Sequence, residues 1–240
     1  MLAHLARERL SSRPLLIPNV PKRRRYPRYF TRDEQELLFA LLCERDQLAM
    51  EWALYTGARE FEICALTTAQ IPPQSAYRHR RVYALPLRVT KGDVPGDLWV
   101  PTWLLKKTYQ YIHFYGRQGA VSASERFGRP TSENIFLSRC GDALNPDTLY
   151  RGFKTAVERA GLRGTFHHLR HTYAISMLHK LMQTARFRDS DGHNALLVLR
   201  DLMRHGSVVT TEIYLVAWRR YLTEVDANLF DMPEHYATTA

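Results

Sequence analysis

The sequence predicts a mainly α-helical fold carrying one small antiparallel β-sheet, an α+β class, and three observations lead there. Apolar residues recur at helical spacing from Thr31 to Leu66 and again from Pro146 onward. Between Arg80 and Val100 the pattern changes to two short strands around a Lys91-Gly92-Asp93-Val94-Pro95-Gly96 turn. At 240 residues and 45% hydrophobic, the chain is long enough to bury a sizeable core, as one large domain or two small ones.

Residues 1–30 stand apart from the rest. Pro14, Pro18, Pro21 and Pro27 work against a regular packed element, and Lys22, Arg23, Arg24 and Arg25 form a basic run. An extended basic arm that touches phosphates is expected there, ahead of a merely solubilising tail, with the folded domain at 31–240. Thr31 and Glu34 sit at capping-box spacing and open a helix whose Leu37, Leu38, Leu41 and Leu42 are assigned to one face. A second helix, from about Asp46 to Tyr55, stops at Gly57. Helical spacing resumes through Arg59, Glu62, Ile63 and Leu66, which puts Arg59 and Glu62 one turn apart on a shared face. The strands follow, Arg80 to Leu87 and Leu98 to Val100, with Lys91 at the hairpin tip. Asn134 to Ser138 reads as a third short strand, and Gly141-Asp142 as the turn after it. Helices are then expected at about 147–160, 167–181, 195–204, 208–215 and 217–229. His167 and Arg170 project from one side of their helix. His168 faces elsewhere by register, and His171 is assigned a packing or structural hydrogen-bonding role.

Lys plus Arg number 34 against 24 for Asp plus Glu, a formal net charge of +10. Such a chain is drawn to polyanions at long range, with an affinity that falls with salt. Cys43, Cys64 and Cys140 form neither a paired framework nor a CxxC ligand spacing, so a reducing compartment is expected and a zinc site is not. No apolar run is long enough to span a bilayer, and the opening MLAHLARERLSSRP lacks the apolar stretch of a secretory signal. A cytoplasmic, nucleoid-associated protein without a membrane partner is the expectation.

The reactive residues come in a telling order: Arg59 in TGARE, Lys91 in VTKGD, His167 and Arg170 in HHLRH, His205 and Tyr214 in RHGSVVTTEIY. Guanidiniums neutralise the non-bridging oxygens of a phosphodiester, an ammonium protonates a leaving alkoxide, imidazoles move or orient protons, and a phenol attacks. That chemistry requires no metal and no cofactor. The ordered set, from about Thr31 to about Trp218, resembles the tyrosine recombinases, the lambda-type integrase and Xer family. Flanking residues add to the match: Thr56-Gly57 before Arg59, Leu169 and His171 around Arg170, and Thr210-Thr211 ahead of Ile213-Tyr214.

The resemblance implies the catalytic-domain fold of that family and a site-specific DNA recombinase of the kind found on mobile genetic elements, performing integration, excision, inversion or resolution. Tyr214 would attack the phosphodiester to give a 3′-phosphotyrosyl link and a free 5′-hydroxyl, without metal or ATP. Arg59 and Arg170 would clamp the non-bridging oxygens, His167 accept the phenolic proton, His205 donate to a phosphate oxygen, and Lys91 protonate the 5′-oxygen, with Glu62 anchoring the group. The implied partners are double-stranded DNA and three further copies of the chain in a tetramer, with DNA-bending accessory proteins left open. The apolar residues after Tyr214 (Ala217, Trp218, Tyr221, Leu222, Val225, Leu229, Phe230 and Met232) are expected to pack into a neighbouring protomer. Two departures stand out. Residues 1–30 do not read as the helical core-binding domain of full-length members, and 185–194 (ARFRDSDGHN) reads as a surface-loop insertion relative to the compact Xer pattern. The alternatives are a type IB topoisomerase-like relaxing enzyme, which shares the nucleophile and cations, and a catalytically idle DNA-binding module. The complete reactive set weighs against the idle module, and the short chain with no evident encircling domain weighs against the topoisomerase.

Overall fold

The computed structural model describes residues 27–90, 96–114, 116–184, 193–207 and 209–224. The basic run Lys22, Arg23, Arg24 and Arg25, the hairpin tip with Lys91, residues 185–192 of the insertion, and the tail from Val225 lie outside the described residues.

Helix α1 (Arg32–Leu41) begins as its sequence demands: the Thr31 hydroxyl accepts from the Glu34 N–H at 3.3 Å while the Glu34 carboxylate accepts from the Thr31 N–H at 3.0 Å. Leu38 is fully buried, but Leu37, assigned to the same face, is 45% exposed, because one residue of helical rotation carries it round to solvent. Phe30, assigned to the arm, belongs to the core. Its ring meets Phe153 edge-on at 5.9 Å and its N–H donates to the Thr172 hydroxyl at 2.9 Å, so the packed fold reaches back before residue 31.

Helix α2 (Glu44–Thr56) is buried on nearly every side, so it shows no amphipathic stripe. Its interior charge Glu51 is paired with Lys107 at 2.7 Å, and Trp52 Nε1 donates to the Thr108 hydroxyl at 3.0 Å. Gly57 ends it in the left-handed region, φ 66°. Helix α3 (Glu60–Cys64) follows, then strands β1 (Val82–Pro86) and β2 (Asp97–Pro101), antiparallel with Ala84 opposite Trp99. The Leu87 N–H donates to the Gly96 carbonyl at 3.0 Å, carrying the ladder one step toward the tip.

Two helices follow that the periodicity reading passed over: α4 (Thr102–His113) and α5 (Gly116–Arg126). For α4 the signal was present, since Leu104, Leu105, Thr108, Tyr111 and Ile112 line one buried face. For α5 it was weak, because GRQGAVSASER has few apolar residues and two glycines. The expected strand at 134–138 is instead two isolated bridges, Thr67 with Asn134 and Leu137 with Ala143. Ser138 N–H turns back to the Asp142 carbonyl at 2.8 Å, too tight a reversal for a continuous strand.

Helices α6 (Pro146–Arg159), α7 (His167–Gln183), α8 (His193–Met203) and α9 (Val209–Glu224) complete the order. The two helices expected at 208–215 and 217–229 are one continuous α9 through Glu224, as nothing between Leu215 and Ala217 breaks a helix. Helix α7 is the central element, packed on α2 along one side and on α8 and α9 along the other. Two apolar clusters result, one uniting α1 to α4 and α6 with the sheet and Leu169 at the start of α7, the other joining α7, α8 and α9 through Ile175, Leu178, Leu199, Met203, Tyr214 and Ala217. Trp218 packs on this second cluster and its Nε1 donates to His179 Nδ1 at 3.2 Å. As far as Trp218, therefore, α9 serves its own core rather than a neighbour's, a correction to the expected donation. No described helix is long and apolar enough to cross a membrane.

Candidate active site

Glu62 is the hub of the polar site. It lies on α3, its side chain fully buried, with one oxygen accepting from Arg59 Nη1 at 2.7 Å and the other from Arg204 Nη2 at 2.6 Å. The second oxygen also accepts from the Arg59 main-chain N–H at 2.8 Å, which fixes Arg59 at the entry of α3. A buried carboxylate is tolerated because each of its oxygens finds a charged donor, and one of them a main-chain N–H as well.

Arg170, on α7, is 2% exposed and donates Nη1 to the Gly57 carbonyl and Nη2 to the Met203 carbonyl. It thereby ties the end of α2 to the end of α8. Burial pulls its pKa down, and the nearby guanidiniums of Arg59 and Arg204 pull it further. A guanidinium stays charged in protein surroundings, so Arg170 is a buried cation beside two further guanidiniums, an arrangement that an anion would relieve.

The Tyr214 hydroxyl lies 2.8 Å from His171 Nδ1. Burial pushes the Tyr214 phenol up to about 12, against the opposing pull of Arg170 and Arg59. Burial likewise pushes His171 down to about 3, with His167, His168, Arg170 and His205 adding to the effect. The phenol is thus protonated and the imidazole neutral, and the 2.8 Å contact joins them with donor and acceptor set by the imidazole tautomer. The His167 ring stands edge-on to His171 at 4.7 Å, and burial, with Arg170 next, lowers its pKa too. His205 stacks near-parallel to the Tyr214 ring at 6.3 Å, is held by the Thr211 hydroxyl at 3.0 Å, and is lowered to about 4, chiefly by burial and then by Arg170, Arg59 and Arg204.

Of the residues singled out in the sequence, Arg59, Glu62, His167, Arg170, His205 and Tyr214 converge from α3, α7, the end of α8 and α9. Lys91 and the basic run Lys22, Arg23, Arg24, Arg25 lie outside the described residues. Two participants were missed. His171, set aside as structural, and not His167, is the phenol's partner; the clue was its place one turn after His167 on the same helix face. Arg204 was passed over as the end of a helix, although a charged residue directly after an apolar stripe is placed to fold back inward. His168 is accounted for by its neighbours, its Nδ1 accepting from the Thr165 N–H at 2.7 Å at the entry of α7.

The arrangement holds a phenol against a neutral imidazole, beside guanidiniums in excess over carboxylate. It can lower the charge on a bound phosphate while taking a proton from the attacking oxygen. Among the described residues no group of His, Cys, Asp or Glu is arranged to hold a metal ion.

Known proteins share both sequence and fold. Tyrosine recombinase XerA of Pyrococcus furiosus is 25% identical over 219 residues, covering 89% of this chain and 66% of that protein. A tyrosine recombinase of Thermosipho africanus is 27% identical, covering 80% of this chain and 58% of its own length. This chain thus spans about three fifths to two thirds of the curated relatives it matches. Among solved structures, a XerA recombinase superposes with TM-score 0.57 at 22% identity, over 85% of this chain and 65% of that one. XerH bound to a palindromic difH substrate in a post-cleavage complex gives TM-score 0.58 at 19% identity, over 83% and 52%. The phage integrase family model matches residues 28–217, a span that takes in every converging residue named above, and the chain belongs to that family.

Proposed function

We propose that this chain is a site-specific DNA recombinase that cleaves and rejoins strands through a 3′-phosphotyrosyl intermediate. The observation that carries the reading is the Tyr214 hydroxyl held on neutral His171 beside the guanidiniums of Arg59 and Arg170. Membership of the phage integrase family and the similarity to curated tyrosine recombinases support it.

In the forward step the Tyr214 oxygen bonds to phosphorus and its proton passes to His171 Nδ1. The bond from phosphorus to the 5′-oxygen breaks, and that oxygen takes a proton from Lys91, the assigned acid of the hairpin. Arg59 and Arg170 stabilise the extra charge on the non-bridging oxygens, where planar donors fit phosphate better than an ammonium would. His205 donates to the same oxygens and stacks on the nucleophile. The phosphotyrosyl bond conserves the energy of the broken linkage, so a second 5′-hydroxyl reverses the step without ATP.

The finer features follow from the chemistry. Exchange between two duplexes requires every one of their strands to be cut, and one tyrosine per protomer makes a tetramer on double-stranded DNA the economical assembly. The run Lys22, Arg23, Arg24, Arg25 adds phosphate contacts independent of sequence, which the net charge of +10 supports. A role on a mobile genetic element, in the cytoplasm with the nucleoid, fits such an activity.

The test is covalent trapping. The full chain is incubated with fragmented genomic DNA, denatured, and the attached strands sequenced. A recombinase gives 3′-linked adducts enriched at one site, which vanish in Tyr214→Phe. Adducts at arbitrary sequence, with relaxation of any supercoiled plasmid by monomer, would make it a topoisomerase-like enzyme, and no adduct at all would make it a binding module.

A further inference from the structure

Arg204 is the only non-glycine residue among those described with positive φ, at 52°. It follows the last turn of α8, where the Arg204 N–H donates to the Asp201 carbonyl and the His205 N–H to the Arg200 carbonyl, both at 3.0 Å. That pair of bonds is the helix stop usually made by glycine, because any Cβ is crowded in the left-handed region. An arginine here works against the local backbone, so what recommends it is its side chain.

That side chain turns inward and is 12% exposed. Nη2 is spent on Glu62 at 2.6 Å, while Nε and Nη1 are buried with no hydrogen-bond partner among the described residues. Its stem supports the base of the hairpin: a Cβ added at Gly96 would lie 2.9 Å from Arg204 Cδ. Buried guanidinium nitrogens left unpaired are costly unless an anion arrives to meet their charge.

The local charge count gives that anion a value. Among the described residues Glu62 is the one carboxylate acting on both Arg170 and Arg204, and the neighbouring imidazoles are neutral. Arg59, Arg170 and Arg204 less Glu62 give 3 − 1 = +2, whereas without Arg204 the sum is +1. A phosphodiester carries one negative charge. As the Tyr214 oxygen bonds to phosphorus and the 5′-oxygen begins to leave, a second negative charge gathers on the five-coordinate centre. A cradle of +2 therefore matches the transition state better than the ground state, and that difference accelerates the step.

We propose that Arg204 is a further positioning and charge-supplying residue of this site, holding Arg59 through their shared Glu62 and adding a third guanidinium to the phosphate cradle. The inference rests on the phosphodiester-cleaving reading above.

Two measurements on the full chain test it, using Arg204→Gly, which relaxes the backbone, and Arg204→Lys, which keeps the charge. In the first, inorganic phosphate is titrated and followed by the arginine Nε–H resonances. Arg204→Gly should bind about tenfold more weakly than the unaltered chain and Arg204→Lys within about threefold; equal affinity in Arg204→Gly would overturn the proposal. In the second, cleavage of the trapped site is timed with a normal scissile phosphate and with a methylphosphonate, whose non-bridging charge is removed. Arg204→Gly should slow the phosphodiester about a hundredfold and the methylphosphonate much less. Equal slowing of both would make Arg204 a structural residue and sink the idea. Should the unaltered chain form no covalent DNA product, the cleavage reading fails, and the phosphate titration still decides whether Arg204 supplies the cradle. If Arg204→Gly does not fold, comparing Arg204→Gln with Arg204→Lys asks the same question of the charge.

Discussion

The Tyr214 hydroxyl and His171 Nδ1 are hydrogen-bonded across 2.8 Å, joining α9 to α7 and setting an imidazole against the phenol. Both groups are buried enough to be neutral, and in the mechanism proposed above this contact is the path by which the phenol loses its proton. The contact makes His171 the proposed proton acceptor in place of His167.

His171→Asn should reduce covalent adduct formation by about 10²–10⁴, the usual contribution of a positioned base, while leaving DNA binding nearly unchanged. His167→Asn should cost less, since the hydroxyl does not rest on that ring. Single-turnover adduct formation measures both; a larger loss for His167→Asn would restore it as proton acceptor.

Glu62→Gln removes the counter-charge that Arg59 and Arg204 share. Breaking a buried ion pair from one side costs about 3–5 kcal/mol, so the denaturant midpoint should fall markedly while the surface pair Arg32–Glu36 can be removed with little effect. Urea titrations of Glu62→Gln and Glu36→Gln check the contrast.

Stability should fall as the solution is acidified from neutrality. His171 and His205 titrate at about 3 and about 4 in the fold, below their ordinary 6.5. The unfolded chain therefore binds more protons than the folded one between those values, and the stabilisation, complete above pH ~6.5, drains away as pH drops toward the folded values. Urea midpoints at successive pH values measure the slope, which His171→Asn should flatten. A midpoint that rises on acidification would contradict the burial of these rings.

Gly57→Ala should destabilise the chain by about 1–3 kcal/mol. Its φ is 66°, and a Cβ there would lie 2.4 Å from the Tyr173 ring. Because the Gly57 carbonyl also accepts from Arg170, the shift that relieves the clash moves a cation of the site. Thermal unfolding and adduct formation should decline together.

Sequence alone determined a good deal. The Thr31–Glu34 cap, the Gly57 stop, the hairpin strands and the long C-terminal helices are local features, written in side chains that act within a turn or a strand pair of themselves, and so are readable from spacing. The pairing of Arg59 with Glu62 was legible for the same reason, being one helical turn. Order along the chain, through the resemblance it carries, also picked out Arg59, His167, Arg170, His205 and Tyr214, which the fold brings together. Only the tertiary structure decided the rest. His171 meets Tyr214 across 43 residues, Arg204 meets Glu62 across 142, and Arg170 bridges carbonyls from α2 and α8. Trp218 turned out to serve its own core because the space between α7 and α9 was there to be filled. Such choices are set by how helices pack and which buried polar groups must be satisfied at once, and periodicity along a chain carries no record of the distance between its helices.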